Sequence, residues 1–251
     1  MISYAENAAA WLAAEPDDDI RTELRALIDG DESELVNRFN GRLTFGTAGL
    51  RAEVGAGPLR MNRLVVRQAA AGLADWLLNN VEDAAQKGVV IGYDARRKSE
   101  LFALDTALVL AGRGVRSMVF SAVVPTPVLA WSITRLGAAS GVMVTASHNP
   151  PADNGYKVYL ETGSQIVSPV DEQIAEAIAV VDPLSIELAE PTSALVAMLD
   201  DKIRNEYLDS TRSVRFVADV APVGVAYTPL HGVGGATLIE AFQRCGLGEP
   251  V

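Results

Sequence analysis

The stretch VVIGYDARRKSELFALDTALVLAGRGVRSMVF (89–120) decides the fold class. Its first part, VVIGYD, is a short apolar run that ends at a charged segment, which predicts a buried strand. SELFALDTALVLAGRG then has the length and apolar content of a helix closed by glycine, and VRSMVF predicts a second buried strand. A strand, a helix and a strand in succession form a unit whose two strands lie parallel, joined by a right-handed crossover.

The alternation continues beyond this stretch. TPVLAWSITRLG (126–137) predicts a helix with Pro127 in its first turn and Gly137 at its end, and SGVMVTA (140–146) predicts a third strand. Such alternation is typical of an α/β fold with a mixed, mostly parallel sheet and helices on both faces. Ligands of such sheets bind beyond the carboxyl ends of the strands. DARRKS (94–99) and the residues after the third strand are therefore the places to look for a site.

The flanking regions follow other patterns. The first forty residues predict helices, and Asn62 is the predicted N-cap of another helix. Residues 182–193 contain two prolines and predict a linker. A helix over about 194–210, a strand at VGVAYTP (223–229) and a further helix then predict the start of a second α/β domain.

Composition and charge argue against several classes of protein. The 251 residues are 49% hydrophobic, and no apolar run reaches the roughly eighteen residues of a membrane span. The opening lacks the basic region of a secretory signal, and the single cysteine, Cys245, cannot form an internal disulfide. We therefore expect a cytoplasmic protein without a membrane partner. A net charge of −11 argues against binding nucleic acid through phosphate neutralisation.

The charge is unevenly distributed along the chain. Residues 1–40 carry ten Asp or Glu and three Arg, whereas residues 41–67 carry five arginines against Glu53. The five are Arg42, Arg51, Arg60, Arg63 and Arg67. A local basic patch on an acidic protein suits a small anionic ligand, although arginines on a solvated face would give the same pattern.

TASHNPPADNGYKVY (145–159) follows the third predicted strand and contains Ser147 next to a histidine. A serine hydrolase is one interpretation, but neighbours in an extended segment point in opposite directions and the Gly-x-Ser-x-Gly turn is missing. The other histidine, His231, has no local pattern that would make it a remote base. A plain turn between two strands is a second interpretation, because Asn, Pro, Asp and Gly all favour turns.

A turn, however, needs neither Ser-His before it nor Lys157 after it. A serine at a strand end, with hydrogen-bond donors and cations nearby, meets the requirements of phosphoryl transfer. That reaction holds an oxygen in line and stabilises the charge of the moving group. Phosphoryl transfer is therefore the favoured interpretation.

Three motifs resemble the signatures of the α-D-phosphohexomutases, the family of phosphoglucomutases and phosphomannomutases. TASHNPPADNGYKVY (145–159) is similar to the phosphoserine loop of that family. FGTAGLR (45–51) resembles its first signature, which often has serine where this chain has Ala48, and GYDARRKS (92–99) is similar to its Asp-x-Arg segment. The three motifs stand in the family's order, and the fold that the family implies agrees with the alternation of strands and helices.

The resemblance implies a role for each matching residue. Ser147 would carry a phosphoryl group that passes to a sugar monophosphate, and the resulting bisphosphate would turn over in the site and return its other phosphate. Lys157 would assist proton movement or neutralise charge, His148 and Asn149 would hold the moving group, and Mg²⁺ would be held partly by an oxygen of the phosphorylated Ser147. The implied catalytic set is Ser147, His148, Lys157 and Arg51, and the implied substrate-binding set is Thr47, Arg96 and Asn149.

The resemblance also implies the activity and the domain organisation. The protein would be an isomerase of carbohydrate metabolism and a phosphoprotein. It would interconvert the 1-phosphate and 6-phosphate of a hexose through a sugar 1,6-bisphosphate, or act on pentose phosphates. Residues 1–193 would form the first domain, with its helical extension and phosphoserine loop, and residues 194–251 an incomplete second domain.

The chain also departs from the family's pattern. Family members have four domains, and their aspartate metal loop, sugar-recognition loop and phosphate-binding loop are not found in this sequence. DGDE (29–32) imitates the metal loop but follows a predicted helix rather than a strand. We therefore expect a part of an enzyme that needs the remaining domains and is inactive alone. The alternative is a noncatalytic module, which would bind sugar phosphates or have a regulatory role.

Overall fold

The computed structural model describes residues 3–30, 32–217, 221 and 223–251. The helices are α1 (Tyr4–Ala14), α2 (Asp18–Ile28), α3 (Glu32–Phe39), α4 (Arg63–Asn80), α5 (Ala84–Lys87), α6 (Ser99–Gly112), α7 (Thr126–Leu136), α8 (Val170–Ala179), α9 (Asp201–Ser210) and α10 (Gly235–Arg244). The strands are β1 (Leu50–Glu53), β2 (Val89–Tyr93), β3 (Ser117–Phe120), β4 (Ser140–Val144), β5 (Asp153–Leu160) and β6 (Val196–Leu199). A short 3-10 helix at Thr211–Val214 follows α9.

The strands found among the described residues form one sheet in the order β1-β5-β4-β2-β3-β6. β4, β2, β3 and β6 run parallel to their neighbours in that series. β5 is antiparallel to β4, and β1 is antiparallel to β5. This mixed, mostly parallel sheet confirms the predicted fold class.

Helices cover both faces of the sheet, which is why its central strands are continuous apolar runs. On one face, Ile91 of β2 belongs to a buried cluster with Leu73 of α4. On the other face, Val90 and Met143 pack in a cluster with Leu129 of α7. Each such fully buried aliphatic side chain contributes roughly 1.5–3 kcal/mol.

The predicted helices of the first forty residues are present and pack against the same core. Ser3 caps α1 in a reciprocal arrangement with Glu6, and Asp17 caps α2. The rings of Trp11 and Phe39 meet edge to face, with centroids 6.0 Å apart, and so join α1 to α3. Among the described residues, no helix combines the length and the apolar character needed to cross a membrane.

Two predictions about the last third of the chain are wrong. The helix predicted over 194–210 begins at Asp201, and Val196–Leu199 form β6, paired with β3. VGVAYTP (223–229) does not form a strand, although Val225 and Tyr227 make backbone hydrogen bonds with Val251. An apolar stretch becomes a strand only where a neighbouring strand accepts it, and β3 offers such an edge to β6. β6 lies after residue 193 but pairs with β3 of the first sheet. The predicted division into two domains after residue 193 stays a prediction.

Candidate active site

Ser147 lies in the connection between β4 and β5, residues 145–152, which we call the serine loop. The loop begins where β4 ends, beside the segment 94–99 that follows the parallel neighbour β2. Ser147 is exposed and has a φ of 55°, in the left-handed region. For a residue other than glycine this conformation costs roughly 1–3 kcal/mol and persists only where surrounding contacts impose it.

Arg96 makes several of the contacts that hold the serine loop. Its two terminal nitrogens donate four hydrogen bonds to backbone carbonyl oxygens of the serine loop and of the first residue of β5. The acceptors are the carbonyl oxygens of Ser147 (2.9 Å), Asn149 (2.8 Å), Pro150 (2.7 Å) and Asp153 (3.0 Å). The structure therefore brings Arg96 to the predicted site, but with its donors directed at the protein backbone.

Arg51 reaches the same loop from β1. Its residue position is opposite Gly155 of β5, and its Nη1 donates to Oδ1 of Asn149 at 2.8 Å. Asn149 in turn donates from Nδ2 to Oδ2 of Asp153 at 2.8 Å. The contact joins the first sequence motif to the serine loop.

Lys157 stands on β5, opposite Met143 of β4, one residue before β4 ends. Its side chain is partly buried. Burial lowers the pKa of the ammonium group below its usual value, and the charge of Arg51 lowers it further, while Asp94 opposes the shift. A lowered pKa makes the neutral amine more available near neutral pH, which suits a group that accepts a proton.

His148 and Thr47 are less closely integrated. His148 is exposed, and its Nδ1 lies 3.5 Å from Oγ of Ser147, too far for a strong hydrogen bond. Thr47 is exposed in the turn before β1, and its carbonyl oxygen accepts from Nε2 of Gln165 at 2.6 Å. Gly49 ends that turn so close to β5 that a Cβ would lie 1.8 Å from the carbonyl oxygen of Tyr156. The turn therefore packs directly against the strand that carries Lys157.

Two supporting residues of the site, Ser99 and Asn154, were not predicted. Oδ1 of Asp94 accepts from Oγ of Ser99 at 2.7 Å and from the backbone N–H of Arg96 at 3.0 Å. Asn154 is fully buried and donates to Oγ of Ser99 and to the carbonyl oxygen of Arg97, both at 3.0 Å. These bonds tie the segment after β2 to the start of β5. Their sequence signal is weak, because a serine at a helix start and an asparagine in a turn are ordinary residues there.

The predicted basic patch of residues 41–67 is not one surface. Arg63 and Arg67 both bind the buried carboxylate of Asp105, and Arg42 donates to the carbonyl oxygen of Ala179. Arg51, by contrast, donates a hydrogen bond to Asn149 of the serine loop. The prediction of a shared anion-binding patch is wrong for Arg63 and Arg67, because a buried acidic partner neutralises them.

The described residues do not form a Mg²⁺ site by themselves. Among them, no group of three or more His, Cys, Asp or Glu side chains is placed to hold a metal ion. The carboxylates nearest the serine loop already accept hydrogen bonds, Asp94 from Ser99 and Asp153 from Asn149. The hydroxyl of Ser147 alone is too weak a ligand set for a hard divalent cation.

Comparison with known proteins agrees with this geometry. Residues 42–183 match the family model of phosphoglucomutase/phosphomannomutase, alpha/beta/alpha domain I, which covers more than half of the chain. The chain therefore belongs to the phosphoglucomutase/phosphomannomutase family, and the resemblance drawn from the three motifs is confirmed.

Individual relatives are similar over most of this chain. A "probable phosphoribomutase" of Schizosaccharomyces pombe is 39% identical over 246 residues, which are 94% of this chain and 42% of the relative. The glucose 1,6-bisphosphate synthase of Mus musculus is 36% identical over 256 residues, 96% of this chain and 41% of that protein. The crystal structure of a candidate phosphomannomutase from Thermus thermophilus has a TM-score of 0.68 at 28% identity, over 84% of this chain and 45% of that one. The chain spans about two fifths of the length of these curated relatives.

Proposed function

We propose that the protein takes part in a sugar-phosphate mutase reaction in which Ser147 carries the transferred phosphoryl group. The observation that carries this proposal is the exposed Ser147 hydroxyl, held at the end of β4 within a loop that Arg51 and Arg96 contact. A phosphoserine carries nearly two negative charges, which nearby cations make tolerable.

The residues of the site suit each step of such a transfer. A hydroxyl oxygen of the sugar monophosphate attacks the phosphorus of phosphoserine 147, and the bond from phosphorus to Oγ breaks. The hydroxyl proton passes to the amine of Lys157, whose lowered pKa suits it as acceptor. The departing Oγ of Ser147 takes up a proton from water, to which this exposed residue has access. The bisphosphate then turns over and returns its other phosphate to Ser147, so the net result is an isomer. Arg51 and Asn149 stabilise the moving group from the loop, with His148 beside it.

The substrate class rests on the relatives. Their names include a phosphoribomutase, a glucose 1,6-bisphosphate synthase and a candidate phosphomannomutase, so hexose and pentose phosphates are both proposed. Mg²⁺ would add charge neutralisation, but its ligands are not found among the described residues. We propose that further domains supply them and complete the cleft, with residues 194–251 as the start of the second domain.

The experiment is to locate a covalent phosphate. After incubation of the purified protein with a hexose 1,6-bisphosphate, mass spectrometry is expected to find the added phosphate on Ser147. In the protein that includes the proposed further domains, Ser147→Ala should abolish it and lower mutase turnover by several orders of magnitude, with sugar-phosphate binding retained.

Ser121→Ala is the matched control, because Ser121 is also exposed and directly follows the neighbouring parallel strand β3. It should leave phosphorylation unchanged. A phosphate at another residue, or normal turnover of Ser147→Ala, would disprove the mutase proposal. Sugar-phosphate binding without any covalent phosphate would favour the noncatalytic module instead.

A further inference from the structure

We propose that Arg96 is a positioning residue, which holds the backbone of the serine loop and does not bind the sugar phosphate. The inference replaces the substrate-binding role that the sequence predicts for Arg96. Its kinetic consequence rests on the proposed function, whereas its structural consequence does not.

The first argument is an account of the donors. The two terminal nitrogens of a guanidinium carry four N–H groups, and Arg96 donates four hydrogen bonds from these nitrogens, three to carbonyl oxygens of the serine loop and one to that of Asp153. The remaining Nε lies 3.5 Å from Oδ2 of Asp94. The Arg96 side chain is only 16% exposed. A phosphate could take these donors only if loop carbonyls lost theirs, so substrate binding and loop structure would compete for one side chain.

The second argument is the backbone strain at Ser147. The residue is held with a φ of 55°, and its own carbonyl oxygen accepts from Arg96 at 2.9 Å. A left-handed serine relaxes to a common conformation when the contacts that impose it are removed. Relaxation would move the hydroxyl, and a displacement of about 1 Å costs roughly a hundredfold in rate. Arg96 therefore acts on the nucleophile through the main chain.

The third argument is that Arg96 is itself fixed from behind. Asp94 accepts from the backbone N–H of Arg96 and stands beside its Nε, while Ser99 donates to the same carboxylate. Asn154 then ties Ser99 to the start of β5. A side chain held this firmly is suited to fixing another segment, and poorly suited to following a substrate that must turn over.

The test compares Arg96→Lys with Arg97→Lys. The first variant keeps the charge but replaces the planar fork by a single ammonium group, which cannot reach all four carbonyls. Arg97 is the matched control, because it is the next residue and its side chain is 58% exposed. Hydrogen exchange of residues 147–153, measured without any ligand, reports loop order. In the protein that includes the proposed further domains, steady-state kinetics on a sugar monophosphate and phosphate transfer from a hexose 1,6-bisphosphate report the chemistry.

For Arg96→Lys we expect loop amides to exchange at least about tenfold faster, since their opening becomes easier. We expect kcat to fall about a hundredfold while KM stays within roughly threefold. Arg97→Lys should change none of these. Asp94→Asn is the second, milder variant, and it should change exchange and kcat in the same direction to a smaller extent.

The opposite pattern would overturn the proposal. If Arg96→Lys raises KM tenfold or more and leaves loop exchange and kcat unchanged, Arg96 binds the substrate. Unchanged loop exchange in both Arg96→Lys and Asp94→Asn would also overturn it. Loop exchange is measured without ligand, so it does not depend on the mutase function. If Arg96→Lys speeds loop exchange but the unaltered protein never carries phosphate on Ser147, the mutase function is disproved and the loop role of Arg96 stands.

Discussion

The serine loop and a buried ionic cluster beneath the N-terminal helices use the same kinds of side chain for different purposes. The ionic cluster consists of Glu15, Asp17, Arg63, Arg67, Lys98 and Asp105. In the cluster, Asp105 has a side chain only 1% exposed and binds Arg63 at 2.6 Å and Arg67 at 2.8 Å. At the serine loop, Arg51 donates to Asn149, two residues after the exposed Ser147, and its charge also lowers the pKa of the partly buried Lys157. Matched charges out of solvent hold helices together, whereas cations beside an exposed hydroxyl provide a place for an incoming anion.

Both regions contain one group shifted towards its neutral form. Burial raises the pKa of Glu15 to about 7, with Asp17 raising it further, although a hydrogen bond from the backbone N–H of Asp17 and the charges of Arg63 and Arg67 act in the opposite direction. Burial lowers the pKa of Lys157. Desolvation disfavours the charged form in both cases. Lys157 is only partly buried, so its shift bears on the proposed proton transfer. Glu15 is 2% exposed, so its shift bears only on stability.

The largest effect is expected for Lys157→Met. Loss of a proton acceptor should lower the rate of phosphoryl transfer by about 10²–10⁴-fold. In the unaltered protein the rate should rise with pH up to the pKa of Lys157, which lies below 10.5, because the neutral amine is the acceptor. The variant should lose that dependence. Lys87→Met, at a surface position on α5, is the control. A variant that keeps the same pH profile would remove Lys157 from the mechanism.

The next effect is the loss of Asp105. Asp105→Ala leaves two arginines without their buried anion and should lower the free energy of unfolding by about 3–5 kcal/mol. Asp75→Ala is the control, because Asp75 pairs with Arg113 while about a third of its side chain is exposed. That change should cost less than about 1 kcal/mol in urea unfolding. Equal costs would show that the cluster is no more than a surface ion pair.

Glu15 should make stability depend on pH. Its pKa is about 7 in the folded protein against an ordinary value of 4.5, so the folded state binds the proton more tightly. The resulting stabilisation is complete below pH 4.5 and is lost as pH rises through about 7. At most it amounts to roughly 3 kcal/mol.

Urea unfolding between pH 4.5 and 7.5 is the measurement for Glu15, with Glu15→Gln and the exposed Glu187→Gln compared. Only Glu15→Gln should flatten the decrease in stability with pH. If both variants retain the full decrease, Glu15 is ionised in the folded protein.

The smallest effect is expected where the two regions meet. Lys98 follows Arg96 by two residues, and its Nζ lies 2.6 Å from a carboxylate oxygen of Asp17 and 3.2 Å from one of Asp19. Asp17→Asn keeps the cap of α2 but removes the charge, and should cost roughly 1.5–2 kcal/mol because Asp19 still pairs with Lys98. Asp19→Asn, whose side chain is 69% exposed, should cost less than Asp17→Asn, because solvent screens its charge.

Hydrogen exchange of the serine loop sharpens this last comparison. Because Lys98 lies on the segment that carries Arg96, we expect faster loop exchange in Asp17→Asn than in Asp19→Asn. Identical exchange in both would mean that the ionic cluster and the serine loop are independent.

The sequence predicts best the strands that are buried on both faces of the sheet. β2 and β4 are buried on both faces, so their apolar runs identify them almost to the residue. β6 has partly exposed side chains and only four residues, and it joins directly to α9, so it was mistaken for the start of that helix. VGVAYTP has the composition of a strand, but its backbone hydrogen bonds with Val251 do not extend into a ladder, and composition alone does not show which edge a strand will find.

The candidate site divides in the same way. The three motifs identify the residues around Ser147, and contacts bring Arg51, Arg96 and Asn149 of the predicted set together. The target of Arg96 was not predictable, because hydrogen bonds to backbone carbonyls leave no pattern in the acceptor side chains. The partner of Arg63 and Arg67 was missed for a related reason. Asp105 lies about forty residues away, inside a helix whose sequence looks ordinary.

The pairing of β1 with β5 has a consequence for the order of folding. Arg51 and Asn149 are 98 residues apart, and β1 has its hydrogen-bonded neighbour only in β5 among the described strands. Contacts between distant residues close long loops and form late, whereas β2, α6 and β3 are close along the chain. During synthesis, therefore, β1 cannot pair with its neighbouring strand until β5 has emerged from the ribosome. Pulsed hydrogen exchange should find β1 protected after β2 and β3, so the contact between β1 and the serine loop would be among the last to form.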